Sequence, residues 1–319
     1  MVPRIVGYPF RKTLNLDGKE AFALTLNKKQ FDILETLADE DKAFTQRQIE
    51  ERTGYSLGLI NKTTKELAEM GAVEKGRITQ TGLDALEPYR VKRAVIIAAG
   101  FGTRMVPLTF NTPKPLIRVH GERIIDGQID ACLDAGIDEI YIVRGYLAEQ
   151  FDQLLYKYPM LKFIENPAYN DANNISSAMC ARYLLQGAYV FEADILIHNP
   201  KLIRRYQYQS NFLGIYQERT DDWCFEVKDG IISEQKVGGL NCFQEIGISY
   251  WSPRDGARLS EDIKKAYEQP GGKELYWDQT VFKVFKEHYQ VAVRECRQED
   301  IVEIDTFKEL KVIDSTYNV

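Results

Sequence analysis

From Ala94 onward, short β-rich runs alternate with segments of helical periodicity, and this alternation is what most limits the fold. "AVIIAA" (Ala94–Ala99) is a continuous apolar run, as in a strand covered on both faces. In "IIDGQIDACLDAG", Ile125, Ile129, Cys132 and Leu133 share one helical face before Gly136 stops the helix. "EIYIV", "LAEQFDQLLYKY", "LKFIE", "NISSAMCARYLLQG" and "AYVFEADIL" continue as strand, helix, strand, helix, strand. Alternation of this kind implies right-handed crossovers and a mostly parallel α/β sheet, with the ligand site beyond the strands' carboxyl ends. Beyond residue 210 the pattern changes. "DWCFEVKDGIISEQKV" predicts a hairpin turning at Asp229–Gly230, and the strand "FQEIGISYW" follows it. Together they form a small antiparallel addition that would wall the pocket.

The first strand runs directly into "GFGTRMVPLTFNTPKPL". Gly100 and Gly102 therefore sit at its carboxyl end, where a missing Cβ lets backbone N–H groups approach an anion. The spacing is neither GxGxxG nor that of a P-loop. Arg104 and Lys114 follow instead, so one excursion offers amides and two cations to a polyphosphate. Pro113 and Pro115 fix the backbone around Lys114 and limit the entropy lost when it engages phosphate.

Residues 1–90 read as a separate domain. Phe31, Leu34 and Leu37 recur at helical spacing, and Thr45 with Gln48 makes a capping box for a second helix that Gly54 stops. A third helix carries Leu57, Ile60, Leu67 and Met70 inward, and "AVEKGRITQTG" reads as a small β-wing turning at Gly76. Three helices and a hairpin resemble a winged helix-turn-helix. That resemblance implies DNA as a partner through Asn61, Lys62, Thr63, Thr64 and Lys65; the alternative is a solvated face of a regulatory or dimerisation module. Acids and bases are roughly balanced here, whereas phosphate binding wants a basic surplus.

Whole-chain charge and cysteine usage exclude further classes. A net charge of −6 argues against a generic nucleic-acid-coating role. Five scattered cysteines without a CxxC pair, and only three histidines, argue against a zinc site and for a reducing cytoplasm. Met1–Lys12 lacks a secretory apolar core, and no apolar run is long enough to span a bilayer, so no membrane partner is expected.

The string "AAGFGTR…PLT…TPKPL" resembles the signature of nucleotidyltransferases that activate sugar phosphates and related esters. The likeness runs from about Lys92 to the C-terminus and implies a Rossmann-like mixed sheet over residues 91–319. "NPAYNDANNISSA", "FEAD", "DDW", "LYWDQ" and "VEIDTFKEL" are together similar to the bacterial choline-phosphate cytidylyltransferases. The resemblance implies Mg²⁺-dependent transfer of CMP from CTP to phosphocholine, giving CDP-choline and pyrophosphate. The N-terminal domain departs from the family's usual extent.

Carried onto this sequence, the likeness implies catalytic roles for Arg104, Lys114, Asp194 and Asp305, with Asp194 and Asp305 as metal ligands. Two hard oxygen ligands plus phosphate oxygens suit Mg²⁺. The alternative is that Asp305 caps the helix "TFKEL", where it stands at a good N-cap position. Ala98, Ala99, Gly100, Gly102 and Thr103, with Asn173, Asn174, Ser176 and Ser177, are assigned to the nucleotide; Asn174 or Ser176 is an equally reasonable helix cap. For the acceptor, Trp223 and Tyr276 correspond to the family's choline-cage aromatics, with Trp277 and Asp278 adjacent. A trimethylammonium has no hydrogen to donate and is held on aromatic faces.

The carboxylates Asp221, Asp222 and Asp278 keep a primary amine open as the acceptor, namely 2-aminoethylphosphonate or phosphoethanolamine. A sugar 1-phosphate would want hydroxyl-reading polar groups where Trp223 and Tyr276 stand. An alternative of another class is a transcription regulator whose nucleotidyltransferase-like domain only senses a nucleotide. Such a sensor would be free to lose the carboxylates that are present here.

Overall fold

The computed structural model describes residues 10–14, 20–39 and 42–318. Most of the Met1–Lys12 stretch lies outside the described residues. The chain divides into two compact units, Met1–Arg90 and Val91–Val319.

In the first unit, β1 (Phe10–Leu14) and β2 (Glu20–Leu24) form an antiparallel pair. Three helices follow, α1 (Lys28–Ala38), α2 (Gln46–Thr53) and α3 (Leu57–Glu69), then the two-residue strands β3 (Val73–Glu74) and β4 (Arg77–Ile78), and α4 (Gln80–Leu86). Thr45 and Gln48 form the expected capping box at the start of α2, and Gly54 ends it at φ 69°. Phe31, Leu34, Leu37, Ile49, Ile60 and Leu67 make the core. Thr63 lies three residues after Ile60 and four before Leu67, so it shares their face and is buried. It drops out of the surface row expected on α3. Leu57, expected inside, is exposed in the first turn of that helix.

The second unit is a seven-stranded mixed sheet. β5 (Arg93–Ile97), β8 (Ile140–Arg144), β9 (Lys162–Glu165) and β10 (Ala188–Glu192) run parallel to their neighbours among these four. Between β5 and β8 come the short pair β6 (Arg118–Val119) and β7 (Glu122–Arg123) and the helix α5 (Ile124–Asp134). α6 (Ile175–Ala181) lies between β9 and β10, and β11 (Ile195–Ile197) follows β10. β12 (Asn211–Lys228) and β13 (Ile231–Trp251) form the long antiparallel addition, turning through Asp229 and Gly230 at φ 53° and 78°. α7 (Pro253–Glu268), β14 (Ala292–Cys296), β15 (Ile301–Glu303) and α8 (Phe307–Ile313) complete the chain. The strand order is β12-β14-β13-β10-β5-β8-β9, with β10 antiparallel to β13.

Ile96, Ile142, Phe191 and Ile248 face one core with Ile125, Ile129 and Cys132 of α5. Val95, Val143 and Val190 face the other, with Ala178 of α6 and Leu259 and Ile263 of α7. Successive strand residues alternate between these cores, which is why the strands read as unbroken apolar runs.

Three expected elements differ. "LAEQFDQLLYKY" is a 3₁₀ stretch (Ala148–Tyr156), and "NISSAMCARYLLQG" is α-helical only to Ala181 before a 3₁₀ turn. "AYVFEADIL" is not one strand. It breaks after Glu192, and β11 leaves the main sheet to pair with β15. That break sets Glu192 and Asp194 opposite the β15 end, where the Ile304 N–H donates to the Asp194 carbonyl at 3.1 Å.

Candidate active site

The turn after β5 is shaped by Gly102, at φ 62°. A Cβ there would lie 3.0 Å from both Lys114 Cβ and Thr109 Cγ2, so the position is closed to any side chain on conformation and on space. Thr103 and Arg104 are exposed beyond it, while Met105 is fully buried and anchors the turn. The Ala98 N–H and the Ala99 carbonyl, assigned to the nucleotide, are bonded to the Val143 carbonyl (2.8 Å) and the Tyr146 N–H (3.1 Å).

Lys114 is buried, and its Nζ donates to Asp194 Oδ2 at 2.8 Å and to Asp305 Oδ1 at 3.3 Å. Burial alone would lower its pKa; the Asp194 and Asp305 charges outweigh that and raise it. Arg104 forks onto Asp305 at 2.7 and 2.9 Å. The four expected catalytic residues therefore converge. Asp305 is not the cap of α8: Thr306 is, in a box with Glu309, which leaves the Asp305 carboxylate to the two cations.

The carboxylates grouped for a metal differ from the expected pair. Glu192, Asp194 and Glu303 each bring one ligand oxygen within 4.8 Å of the others. Glu303 was missed, although the strand period of two in "VEID" puts it on the face of Asp305, as "EAD" pairs Glu192 with Asp194. Asp194 Oδ1 is buried without a hydrogen-bond partner. Burial, then the Asp194 charge, pushes Glu192 up to about 8 and Glu303 well above the ordinary range. An orphaned oxygen among crowded acids is the donor set a hard cation satisfies.

The residues given to the base mostly hold one another. Asn166 donates to Ser176 Oγ (2.9 Å) and Ser177 Oγ (3.0 Å), both buried, and Ser176 donates to the Asn173 carbonyl at 2.8 Å. Ser176 and Ser177 thus brace the loop after β9 instead of opening onto a pocket. The Asn173 amide donates to the Glu274 carbonyl. Asn174 bridges Glu192 Oε1 (3.2 Å) and the Trp277 N–H (2.8 Å), tying the carboxylate cluster to the acceptor segment.

Trp223 and Tyr276 meet edge-to-face, with centroids 5.9 Å apart and planes at 69°. Trp223 is partly buried and Tyr276 is 43% exposed, so both rings keep surface to offer. Trp223 lies in β12. Trp277 is corrected to the core: it is 2% exposed, stacks on Phe212 and meets Trp251 edge-on. Its backbone steps it inward between exposed Tyr276 and buried Asp278. Asp278 takes the Gln235 amide that also bonds Glu245 at 2.7 Å; burial raises both carboxyls. A cleft of about 110 Å³ beside Asp222 is lined by Gln244, Gln298, Glu303, Asp305 and Glu309.

A glycine turn, two cations and clustered carboxylates at the carboxyl edge of a mixed sheet are what nucleotidyl transfer requires. Residues 93–161 match the nucleotidyl transferase family. A 2-aminoethylphosphonate cytidylyltransferase of Lancefieldella rimae is 38% identical over 228 residues, 70% of this chain and 92% of that protein. The chain belongs to the bacterial cytidylyltransferases. A choline-phosphate cytidylyltransferase of Streptococcus pneumoniae is 34% identical over 70% of this chain and 96% of its own length. The solved CTP:phosphocholine cytidylyltransferase from Streptococcus pneumoniae superposes with a TM-score of 0.66 at 33% identity, over 71% of this chain and 99% of that one. Residues 24–80 of this cytidylyltransferase match the MarR family, which gives its first unit a winged-helix fold. Among the described residues no helix is long and apolar enough to cross a membrane.

Proposed function

We propose that the enzyme transfers CMP from CTP to phosphocholine, releasing pyrophosphate. The observation that carries the acceptor is the Trp223–Tyr276 pair: two rings from distant parts of the chain, in contact and still partly open. A quaternary ammonium bears charge without hydrogens, and two aromatic faces stabilise it by roughly 0.5–2 kcal/mol per ring.

In this reading an oxygen of the dianionic acceptor phosphate attacks the α-phosphorus of CTP, and the bond to pyrophosphate breaks in line. No proton has to move, so positioning and charge neutralisation carry the rate. Arg104 and Lys114 exchange carboxylate partners for triphosphate oxygens, while Gly100–Thr103 offers backbone N–H groups. Glu192, Asp194 and Glu303 would hold Mg²⁺, which supplies charge neutralisation at the reacting phosphates.

A second reading, 2-aminoethylphosphonate as acceptor, is favoured by Asp278, two residues after Tyr276 and joined to Glu245 through Gln235, and by the Lancefieldella rimae relative. Pyrophosphate release from CTP and Mg²⁺ with phosphocholine, phosphoethanolamine, 2-aminoethylphosphonate and a hexose 1-phosphate decides between them. The highest kcat/KM is expected for phosphocholine; a preference for either primary amine would overturn that choice and leave cytidylyl transfer standing.

A further inference from the structure

Phe101 stands between the two turn glycines and is 41% exposed. It packs on Tyr146, 5.1 Å between centroids, and on Tyr169, 5.4 Å. These three aromatics come from the segments following β5, β8 and β9, which are neighbours in the sheet. Gly145 admits the arrangement, since a Cβ there would fall 2.7 Å from the Tyr169 ring.

Hydrogen bonds close a ring around the same turn. The Tyr146 N–H donates to the Ala99 carbonyl, and its hydroxyl donates to the Thr109 carbonyl at 2.8 Å. The Thr109 hydroxyl donates to the Gly102 carbonyl at 2.9 Å. Both ends of the Ala99–Gly102 segment are thereby tied down, and in its middle the Phe101 ring packs on the two tyrosines. Glycines lose the most conformational freedom on being fixed, so a turn with two of them gains most from an external clasp.

We propose that Phe101 is a positioning residue for CTP: Tyr146 and Tyr169 clasp its ring and so hold Gly100–Thr103 in the shape that receives the triphosphate. This rests on the reading of that turn as the phosphate site. In the full-length enzyme with Mg²⁺, Phe101→Ala should raise the CTP dissociation constant, measured by calorimetry, about tenfold, the size of two lost aromatic contacts. With the faster of phosphocholine and 2-aminoethylphosphonate as acceptor, KM for CTP should rise alike, with kcat and acceptor KM nearly unchanged. Phe101→Tyr should restore CTP affinity, and Tyr169→Leu should add little in the Phe101→Ala background.

CTP affinity within about twofold of wild type in Phe101→Ala would overturn the clasp. So would an equal loss for CTP and acceptor, or a Phe101→Tyr variant as weak as the alanine. Gly102→Val separates the two ideas. If it abolishes CTP binding while Phe101→Ala stays within about twofold of wild type, only the clasp fails; if it leaves CTP binding intact, the reading of the turn fails.

Discussion

Lys114 Nζ donates to Asp194 Oδ2 at 2.8 Å, joining the excursion after β5 to the break after β10. The lysine is the cation nearest the crowded acids and is held charged by them. Lys114→Met should lower kcat/KM by roughly 10²–10³, as removal of one preorganised charge contact does. It should also lower Tm, because Asp194 would lose its paired cation while staying crowded by Glu192 and Glu303. A variant within a few-fold of wild-type turnover would show that Lys114 serves only the fold.

Asp194 is shared by that ion pair and by the carboxylate group with Glu192 and Glu303. Asp194→Ala should abolish pyrophosphate release while leaving the circular dichroism spectrum intact. Glu303→Gln should move the Mg²⁺ activation curve to higher concentration without changing KM for the acceptor. An unshifted curve would take Glu303 out of the metal group.

The same crowding gives a pH signature. Burial and the neighbouring Asp194 raise Glu192 from 4.5 to about 8, and Glu303 moves in the same direction. The folded state thus binds more protons than the unfolded one between those values, so stability is full at low pH and falls as pH rises through the window. In EDTA, Tm should decline across it, and Glu192→Gln should flatten the decline. Added Mg²⁺ should oppose it by favouring the ionised acids. A slope unaltered in Glu192→Gln would assign the effect elsewhere.

The parallel sheet was legible because its central strands β5 and β10 are buried on both faces, and the hairpin because Asp229–Gly230 demands positive φ. Arg104, Lys114, Asp194 and Asp305 were legible because residue type, glycine spacing and family likeness agree. What escaped depended on tertiary choices. Tyr276 faces out and Trp277 faces in because of a single step of backbone, and adjacency in "LYWDQ" does not encode which of the two turns inward. Ser176 and Ser177 look like ligands for a base until Asn166 takes both hydroxyls. Glu303 is one of many acids in the sequence until the break after Glu192 brings β11 against β15.

The relatives align over 228 and 229 residues and are matched over 92% and 96% of their own lengths. The unit Val91–Val319 spans 229 residues, the length of those alignments. A chain of residues 91–319 should fold and keep kcat/KM within about threefold, as a unit with its own core does. Loss of turnover with retained secondary structure would show that the winged-helix unit takes part in the reaction.

Trp223 tests the acceptor directly, because its ring packs on Tyr276 and the residue stays only partly buried. It lies in β12, so truncation leaves the β12–β13 backbone pairing in place and removes mainly a face. Trp223→Ala should raise KM for phosphocholine by about tenfold or more, since a desolvated cation–π contact contributes up to about 2 kcal/mol. KM for CTP should change little. For a primary ammonium the same variant should matter less, because Asp and Glu oxygens can still accept its hydrogens. Steady-state kinetics with both acceptors reads this difference. An equal rise for CTP and phosphocholine would mean that the ring supports the pocket as a whole, and the choline assignment would lose its main support.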